Sequence, residues 1–413
     1  MNKRSRKGAR LIVTLEKLLI QLLDKLDISP TMYQRAIERY TSVASHLDEK
    51  GIDCTIYPQG SFALGTVVRP FRNDKDQAYD IDVVYLYNGN KSTLSPQGFF
   101  CSMSKTIEDY AIAHGVTFDE YDRCVTLTYA DINEIGLEMD IVASVPEDAD
   151  TINKIEQMGV ASDKAKEAIA IAVKAVGTCQ SRWCWSNPKG YKMWFDEINA
   201  PFANVTSLSE RTRIFETNRT VYASIEQVPQ QLERTSLQRV IQILKRHRDV
   251  FYNRCKCSDK KPTSAIITTL AARVAMKMPP YTPFIDLLNN VVSQLSSYEN
   301  LTSDSYGYEY NNHKNDSLIS KKEQKWELLN PVNPFDNYMD SWTNEHARLF
   351  FRWLKDLKGI FPTSQRLDTD TANEMLVRSS LGFSISNNSS VSNAASAYKV
   401  TTITPVKPWG RNV

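Results

Sequence analysis

The sequence predicts an α+β protein in which a strand-rich segment with flanking helices is followed by a largely helical half. Short runs of β-branched and aromatic residues, several of them alternating with polar residues, concentrate between residues 52 and 145. Apolar residues recur at helical spacing before this segment and again towards residue 358. A length of 413 residues is enough for two domains.

These patterns divide the chain into four parts. We expect N-terminal helices that pack on both halves over residues 1–50, a strand-rich core over 51–180, a helical domain over 181–360 and a C-terminal tail over 361–413. The tail is rich in serine, asparagine and threonine and has little periodicity. Such a composition favours a loop or a loosely held extension.

Two helices are predicted at the start of the chain. Leucines recur at helical spacing over residues 11–26, which indicates an amphipathic first helix. Ser29 followed by Pro30 is typical of an N-cap with proline at the first helical position, so a second helix is expected from there. Its apolar face runs from Tyr33 to Leu47.

A Gly-Ser turn and a strand with two acids form the most informative pattern. Gly60 lets backbone N–H groups approach a phosphate closely, and the Ser61 hydroxyl adds a donor. About twenty residues later comes Asp80-Ile81-Asp82. Alternate residues of a strand share a face, so both carboxylates are expected on one side, where their oxygens suit Mg²⁺. The alternative is an exposed edge strand whose acids discourage aggregation.

A third acid is predicted on a second strand. Residues 124–129 and 136–143 alternate like strands on either side of a turn at 131–133, so they are expected to form a hairpin. Asp140 has apolar neighbours, among which an unpaired carboxylate would be costly. A metal ion, a hydroxyl partner or a salt bridge to a neighbouring arginine would each account for it. Glu138 shares its face and is an alternative acid.

The second half of the chain is predicted to be mostly helical. Residues 151–177, rich in alanine, isoleucine and lysine, indicate a helix. The aromatic cluster at 183–195 is expected in the core, and the helical pattern then continues to about residue 358 with a polar insert near 300–320. An apolar stripe over 237–251 leaves Arg239, Lys245 and Arg248 on the expected surface of a long helix.

Just after this long helix, a second anion site is predicted. Pro262-Thr263-Ser264 precedes an apolar run and marks the start of the next helix. The free N–H groups and the positive dipole end of a helix start attract anions.

Composition excludes several classes of protein. The net charge of +2 gives no strong field for nucleic acid. Seven cysteines are scattered, and Cys255-x-Cys257 lacks the second pair that a zinc site needs, so reduced thiols are expected. Basic residues in 3–10 imitate the start of a signal peptide, but Glu16 and Lys17 interrupt the apolar stretch. No apolar run approaches a membrane span, so a cytoplasmic protein is expected.

Residues 58–66 (Pro-Gln-Gly-Ser-Phe-Ala-Leu-Gly-Thr), with the three acids, resemble the DNA polymerase β-like nucleotidyltransferases. The sequence of this segment is similar in particular to that of the bacterial cyclic GMP-AMP synthase/DncV-like nucleotidyltransferases of CBASS anti-phage operons. The resemblance covers roughly residues 10 to 360. Three further segments are similar to this family: residues 185–191, 237–249 and 264–271.

The resemblance implies a fold and a set of site residues. The implied fold is a polymerase β-like nucleotidyltransferase core, a mixed sheet with flanking helices, joined to a C-terminal helical, oligoadenylate synthase-like domain. The molecule would be bilobed, with its active site in the cleft. Asp80, Asp82 and Asp140 would be catalytic and would hold two Mg²⁺ ions, which Mn²⁺ can replace. The implied nucleotide-binding residues are Gln59, Gly60, Ser61, Lys245 and Ser264.

The implied activity is that of a cyclic oligonucleotide synthase. It would join nucleoside triphosphates, ATP or GTP, into a cyclic di- or trinucleotide second messenger and release pyrophosphate. CBASS accessory proteins are expected partners of the tail. One alternative is nucleotide transfer to RNA or protein, with basic residues 3–10 and 254–261 on a phosphate backbone. The other is a catalytically silent nucleotide sensor, against which the three intact acids argue.

Overall fold

The computed structural model describes residues 15–132, 135–205, 234–303, 317–361 and 371–383. Strands and helices alternate through the first part and helices dominate the second, which confirms the predicted α+β class. The basic residues in 3–10, much of the polar insert and most of the tail lie outside the described ranges.

Helices occur throughout the described residues, from Leu15 to Ser380. The helices of the described residues, in chain order, are α1 (Leu15–Leu26), α2 (Pro30–Glu49), α3 (Gly60–Ala63), α4 (Pro96–His114), α5 (Ala149–Gln157), α6 (Ser162–Ala165), α7 (Pro188–Asn199), α8 (Ser236–Arg254), α9 (Ser264–Ala275), α10 (Phe284–Ser296), α11 (Asn344–Ile360) and α12 (Thr371–Ser380).

Most of the longer strands belong to one mixed sheet. The strands are β1 (Cys54–Pro58), β2 (Phe71–Arg72), β3 (Lys75–Asp76), β4 (Tyr79–Tyr87), β5 (Thr117–Glu120), β6 (Val125–Ile132), β7 (Ile135–Pro146), β8 (Ile169–Val173), β9 (Arg182–Ser186), β10 (Ser320–Lys322), β11 (Lys325–Glu327), β12 (Leu329–Asn330) and β13 (Asn333–Asn337).

The sheet places β4 and β7 side by side at its centre. Its strand order is β1-β4-β7-β6-β5, and β8 extends it by pairing with both β7 and β9. β4 and β7 run parallel, whereas β1 pairs antiparallel with β4 and β6 pairs antiparallel with β7. The predicted hairpin is therefore confirmed as β6–β7. Because Asp82 lies opposite Asp140 in the parallel register, two of the predicted acids meet at one level of the sheet.

Two large hydrophobic clusters and a smaller third one around Ile155 pack the described residues. Ile81 and Val83 of β4 are fully buried in the first, where α2 and α4 cover the sheet. The leucines of α1 belong to the second, with α8, α9, α10 and α11. The predicted N-cap between α1 and α2 is confirmed, since the Ser29 hydroxyl accepts a hydrogen bond from the Met32 N–H at 3.2 Å.

The long helix α8 differs from its prediction. Arg239, Lys245 and Arg248, expected on the surface, are each only 5% exposed. The helix is buried on all sides because its charges have partners elsewhere in the chain. Arg239 Nη2, for example, donates to Asp24 at 2.9 Å.

Other predictions of local structure are wrong in part. The helix predicted over 151–177 is replaced by two shorter helices, α5 and α6, and by a strand, β8, over residues 169–173. The apolar run Ile-Ala-Ile-Ala-Val forms this strand because it pairs with β7. Short strands β10 to β13 interrupt the helical half. Part of the tail is ordered, since α12 buries Val377. Cys255 and Cys257, expected as thiols, are joined in a disulfide.

Candidate active site

Three carboxylates converge at the centre of the sheet. Asp80 and Asp82 project from the same face of β4, and Asp140 projects from β7 beside them. One oxygen of each carboxylate lies within 4.8 Å of the other two. The edge-strand alternative is therefore wrong, because β4 is an interior strand paired on both sides. Glu138 lies opposite Asp80 in the register but is not a member of this group of three.

Asp140 is held by a hydroxyl group of the neighbouring strand. Thr126 of β6 faces it in the antiparallel register, and the Thr126 Oγ1 donates a hydrogen bond to Asp140 Oδ1. Thr126 is 4% exposed, so this donor is shielded from water. Of the three partners that the sequence analysis considered for Asp140, the structure thus shows the hydroxyl group.

The Gly-Ser turn lies directly against Asp82. The Gln59 N–H donates to the Asp82 carbonyl at 2.8 Å, and Gly60 starts the short helix α3. Gly60 has φ of +59°, and a Cβ at this position would collide with the Asp82 carboxylate. A glycine is needed here for both its backbone conformation and its lack of a side chain. The turn therefore approaches the acids as closely as its backbone permits.

A cavity of about 510 Å³ opens beside the acids. It is large enough for a small-molecule ligand, for which pockets of about 300–1,000 Å³ are usual. Asp80 and Asp82 are among its lining residues, and Asp140 is not. Seven of the eight predicted site residues line it: Gln59, Gly60, Ser61, Asp80, Asp82, Lys245 and Ser264.

Lys245 brings a buried ammonium to the cavity. Its Nζ donates to the Thr66 carbonyl at 2.9 Å, next to the turn. Burial, reinforced by the charge of Arg248, lowers the pKa of Lys245 to about 8. The acids Asp249, Asp82 and Asp80 act in the opposite direction, favouring the charged form. The predicted surface lysine is thus a desolvated cation close to the acid cluster.

Ser264 lies at the start of α9, as predicted. Thr263 caps this helix by accepting from the Ile266 N–H at 3.4 Å, which leaves Ser264 at the first helical position. Its hydroxyl accepts a hydrogen bond from Arg248 Nη1 at 3.3 Å. The same Arg248 nitrogen donates to the Pro262 carbonyl at 3.0 Å. Arg248 therefore ties the start of α9 to α8 at the cavity wall.

Further basic side chains line the cavity beside these residues. Asp249 accepts from Arg248 Nε at 3.0 Å and from Lys261 Nζ at 3.1 Å. Although burial opposes ionisation, these two cations hold the pKa of Asp249 well below its usual range. The additional basic residues that line the cavity are Arg72, Arg248, Lys260 and Lys261.

The arrangement fits a divalent cation and a polyphosphate. Clustered carboxylate oxygens are ligands that Mg²⁺ prefers. Several basic side chains that line the same cavity supply the positive charge that suits a triphosphate. Among the described helices, none combines the length and apolar character needed to cross a bilayer.

Comparison with known proteins agrees with this geometry. Residues 54–141 match the family model of the nucleotidyltransferase domain of cyclic GMP-AMP synthase DncV-like proteins. A curated relative, the c-di-GMP synthase of Roseivirga ehrenbergii, is 24% identical over 336 residues, which are 80% of this chain and 74% of that protein. The matched family segment contains the turn, β4 and all three acids.

Solved structures extend the likeness of the fold beyond the matched segment. The CD-NTase CdnG of Bradyrhizobium diazoefficiens, solved with GTP, superposes with a TM-score of 0.62 at 19% identity, covering 89% of this chain and 98% of that one. CdnC of E. coli MS115-1, solved with ATP, gives 0.56 at 14% identity, covering 91% and 99%. The segment with the acids and the turn thus matches the nucleotidyltransferase domain of DncV-like proteins, and the fold of the chain is similar to that of the CD-NTases CdnG and CdnC.

Proposed function

We propose that this chain is a cyclic oligonucleotide synthase that joins nucleoside triphosphates and releases pyrophosphate. The observation that carries the proposal is the meeting of Asp80, Asp82 and Asp140 within 4.8 Å beside a cavity walled by cations. The name of the Roseivirga relative, a c-di-GMP synthase, supports a cyclic product, and the GTP and ATP in the solved CdnG and CdnC structures support these nucleotides as substrates.

In this proposal, the polar groups on the cavity wall bind the triphosphate. The backbone N–H groups at Gly60 and Ser61 and the Ser61 hydroxyl face one end of the chain of phosphates. Lys245 and Ser264 contact the other end, and Arg248 keeps Ser264 in place. Several charge-assisted contacts fix the position of the α-phosphorus and account for most of the rate enhancement.

Asp80, Asp82 and Asp140 would hold two Mg²⁺ ions, or Mn²⁺ in their place. Bound there, such ions stabilise the charge of the attacking hydroxyl and of the departing pyrophosphate. Asp140 faces the acceptor and takes the proton of its hydroxyl as the new O–P bond forms and the bond to pyrophosphate breaks. Thr126 holds Asp140 in the orientation that this proton transfer requires.

The linear intermediate would then turn round in the same cavity, so that its own hydroxyl becomes the acceptor in a second transfer. The product is a cyclic di- or trinucleotide that acts as a second messenger in anti-phage defence. Since the substrates are nucleoside triphosphates, the enzyme works in the cytoplasm. We further propose that accessory proteins bind the C-terminal tail; the solved CdnC:HORMA-deltaN complex of E. coli MS115-1 supports an assembly with a second protein.

The test is incubation of the purified protein with the four radiolabelled nucleoside triphosphates and Mg²⁺ or Mn²⁺. Phosphatase treatment, thin-layer chromatography and mass spectrometry then identify the products. We expect a small phosphatase-resistant product whose mass names its bases. The Asp82→Asn variant serves as the inactive control.

Two other results would redirect the proposal. Label found only in RNA or protein would indicate transfer to a macromolecule. The described part of the basic segment 254–261 does not favour this outcome, since Lys261 is paired with Asp249 and Arg254 with Asp356. Metal-dependent triphosphate binding without incorporation would indicate a nucleotide sensor.

A further inference from the structure

The segment that follows the Gly-Ser turn is hydrogen-bonded to one face of α8. Gln238 Nε2 donates to the Leu64 carbonyl at 2.9 Å, and Gln242 Nε2 donates to the Val67 carbonyl at 2.7 Å. Lys245 completes the row through the Thr66 carbonyl. The three donors recur at the spacing of i, i+4 and i+7, which puts them on one helical face.

A glycine lets this face approach the segment. Gly65 has φ of +65°, and a Cβ at this position would collide with the amide nitrogen of Gln238. The chain between Gly60 and Gly65 is therefore clamped at both ends: Gly60 contacts the Asp82 carboxylate, and Gly65 contacts the side chain of Gln238. Each contact requires a glycine for its left-handed backbone and for the missing side chain.

The two glutamines are themselves fixed. Gln238 Oε1 accepts from the Thr235 N–H at 2.9 Å and so forms the capping box of α8. Gln242, fully buried, accepts from Arg239 Nη1 at 3.2 Å. Because the oxygen of each amide already has a donor, its NH₂ group is directed towards the loop carbonyls. Donors held in this way specify one position of the loop.

We propose that Gln238 and Gln242 are positioning residues that hold the Gly60–Ser61 turn at the distance from Asp82 which triphosphate binding requires. This role rests on the proposed function, and neither glutamine is assigned contact with substrate. Gln238 and Gln242 would thus influence nucleotide affinity through the backbone that they support.

Gln238→Glu isolates the contact. Glutamate keeps the oxygen that accepts from the Thr235 N–H and is favourable in the first turn of a helix, so folding is preserved. It replaces the NH₂ donor by an oxygen that repels the Leu64 carbonyl. We expect the KM for nucleoside triphosphate to rise about tenfold with kcat changed less than about threefold. Amide hydrogen exchange over residues 60–67 should accelerate in the ligand-free protein.

Thr235→Ala is the matched control. It removes the hydroxyl that accepts from the Gln238 N–H at 3.1 Å and weakens the helix cap, while the Gln238–Leu64 contact is untouched. We expect a lower Tm but wild-type KM and wild-type exchange over residues 60–67. Gln242→Met provides a second variant with the donor removed at similar length, and it should behave like Gln238→Glu.

Unchanged exchange over residues 60–67 in Gln238→Glu would overturn the inference, and so would an equal acceleration in Thr235→Ala. The exchange measurement needs no substrate. If the wild-type protein incorporated no nucleotide, the proposed function would fail while exchange still decided whether the glutamines position the turn.

Discussion

Thr126 and Asp140 face each other across the β6–β7 pair, and the threonine hydroxyl donates to the carboxylate. The contact joins an antiparallel neighbour of β7 to the strand that also pairs, in parallel, with β4. Asp140 is thus oriented from one side by Thr126, while Asp82 lies at the same level on its other side. The third acid owes its position to both neighbours.

Thr126→Val tests this orientation. Valine has the shape of threonine without the hydroxyl, so the fold should be kept while Asp140 loses its donor. Loss of a hydrogen bond to a metal-binding side chain typically costs about 10–100-fold, and we expect kcat to fall by that amount. Thr126→Ser, which retains the hydroxyl, should stay near wild type. Equal activity in Thr126→Val and wild type would show that Asp140 needs no such support.

Asp80→Asn and Asp82→Asn should each abolish nucleotide incorporation, with a loss of at least about 10³-fold. The amide keeps the size of the carboxylate but removes the charge on which ion binding depends. Circular dichroism and the melting temperature should stay close to those of the wild type. Asp119→Asn, at an exposed position of β5, is the matched control and should remain active. Turnover retained in both active-site variants would contradict the assignment of Asp80 and Asp82 as catalytic residues.

Gly60→Ala should inactivate the protein by about 10²-fold or more, because the new methyl group would push the turn away from Asp82. Gly51→Ala is matched in backbone: its φ is +69°, but no atom lies within 4 Å of the added Cβ. Both variants should lose about 1 kcal/mol of stability through the left-handed backbone. Only Gly60→Ala should lose activity. Comparison of kcat/KM with the free energy of unfolding for the two variants separates these effects.

The affinity for nucleoside triphosphate should fall as the pH rises above about 8. The pKa of Lys245 lies at about 8, lowered by burial, so the ammonium that would face the phosphates is lost above this pH. For a single required proton, kcat/KM should drop about tenfold between pH 7 and pH 9. Lys245→Met should bind triphosphate weakly at every pH and lack this inflection. An inflection unchanged in Lys245→Met would assign it to another group.

The same shift predicts how stability depends on pH. Because the pKa of Lys245 is lowered in the folded protein, the unfolded chain binds more protons between about pH 8 and the ordinary pKa of lysine. Below pH 8 the whole cost of burying the charged Lys245 lowers the free energy of unfolding. This cost disappears as the pH rises through that interval, so the free energy of unfolding increases. Denaturation of wild type and Lys245→Met at pH 7.5 and pH 9.5 should show this difference. A wild-type profile as flat as that of the variant would contradict the burial of the charged amine.

The parts of the site that the sequence predicts are those with local signals. The shared face of Asp80 and Asp82 follows from the period of a strand, and the cap at Ser29 follows from the residue next to it. The prediction of Asp140 as a site residue also required the pairing of β6 with β7 to be recognised as a hairpin. Its carboxylate, surrounded by apolar residues, already indicated a partner.

What the sequence could not predict depends on residues far apart in the chain. Lys245 was expected on the surface because its acceptor, the Thr66 carbonyl, lies 179 residues away. β8 was expected as helix because its five apolar residues fit either period until a neighbouring strand is known. Thr126 carries a weak signal that could have been used: it is the residue that a hairpin centred near 133 places opposite Asp140.

The buried charges of α8 make the protein hard to divide. Arg239 relies on Asp24 of α1, and Arg246 donates to Asp76 and, across the chain, to the Leu381 carbonyl after α12. A fragment without α1 would break the Arg239–Asp24 ion pair, at a cost of about 3–5 kcal/mol, and one without residue 381 would leave a buried Arg246 donor without its carbonyl acceptor. Chimaeras between relatives must therefore exchange α1, α8 and the residues from α12 to 381 together. The contacts of α8 thus set the smallest part of the chain that can be exchanged as a unit.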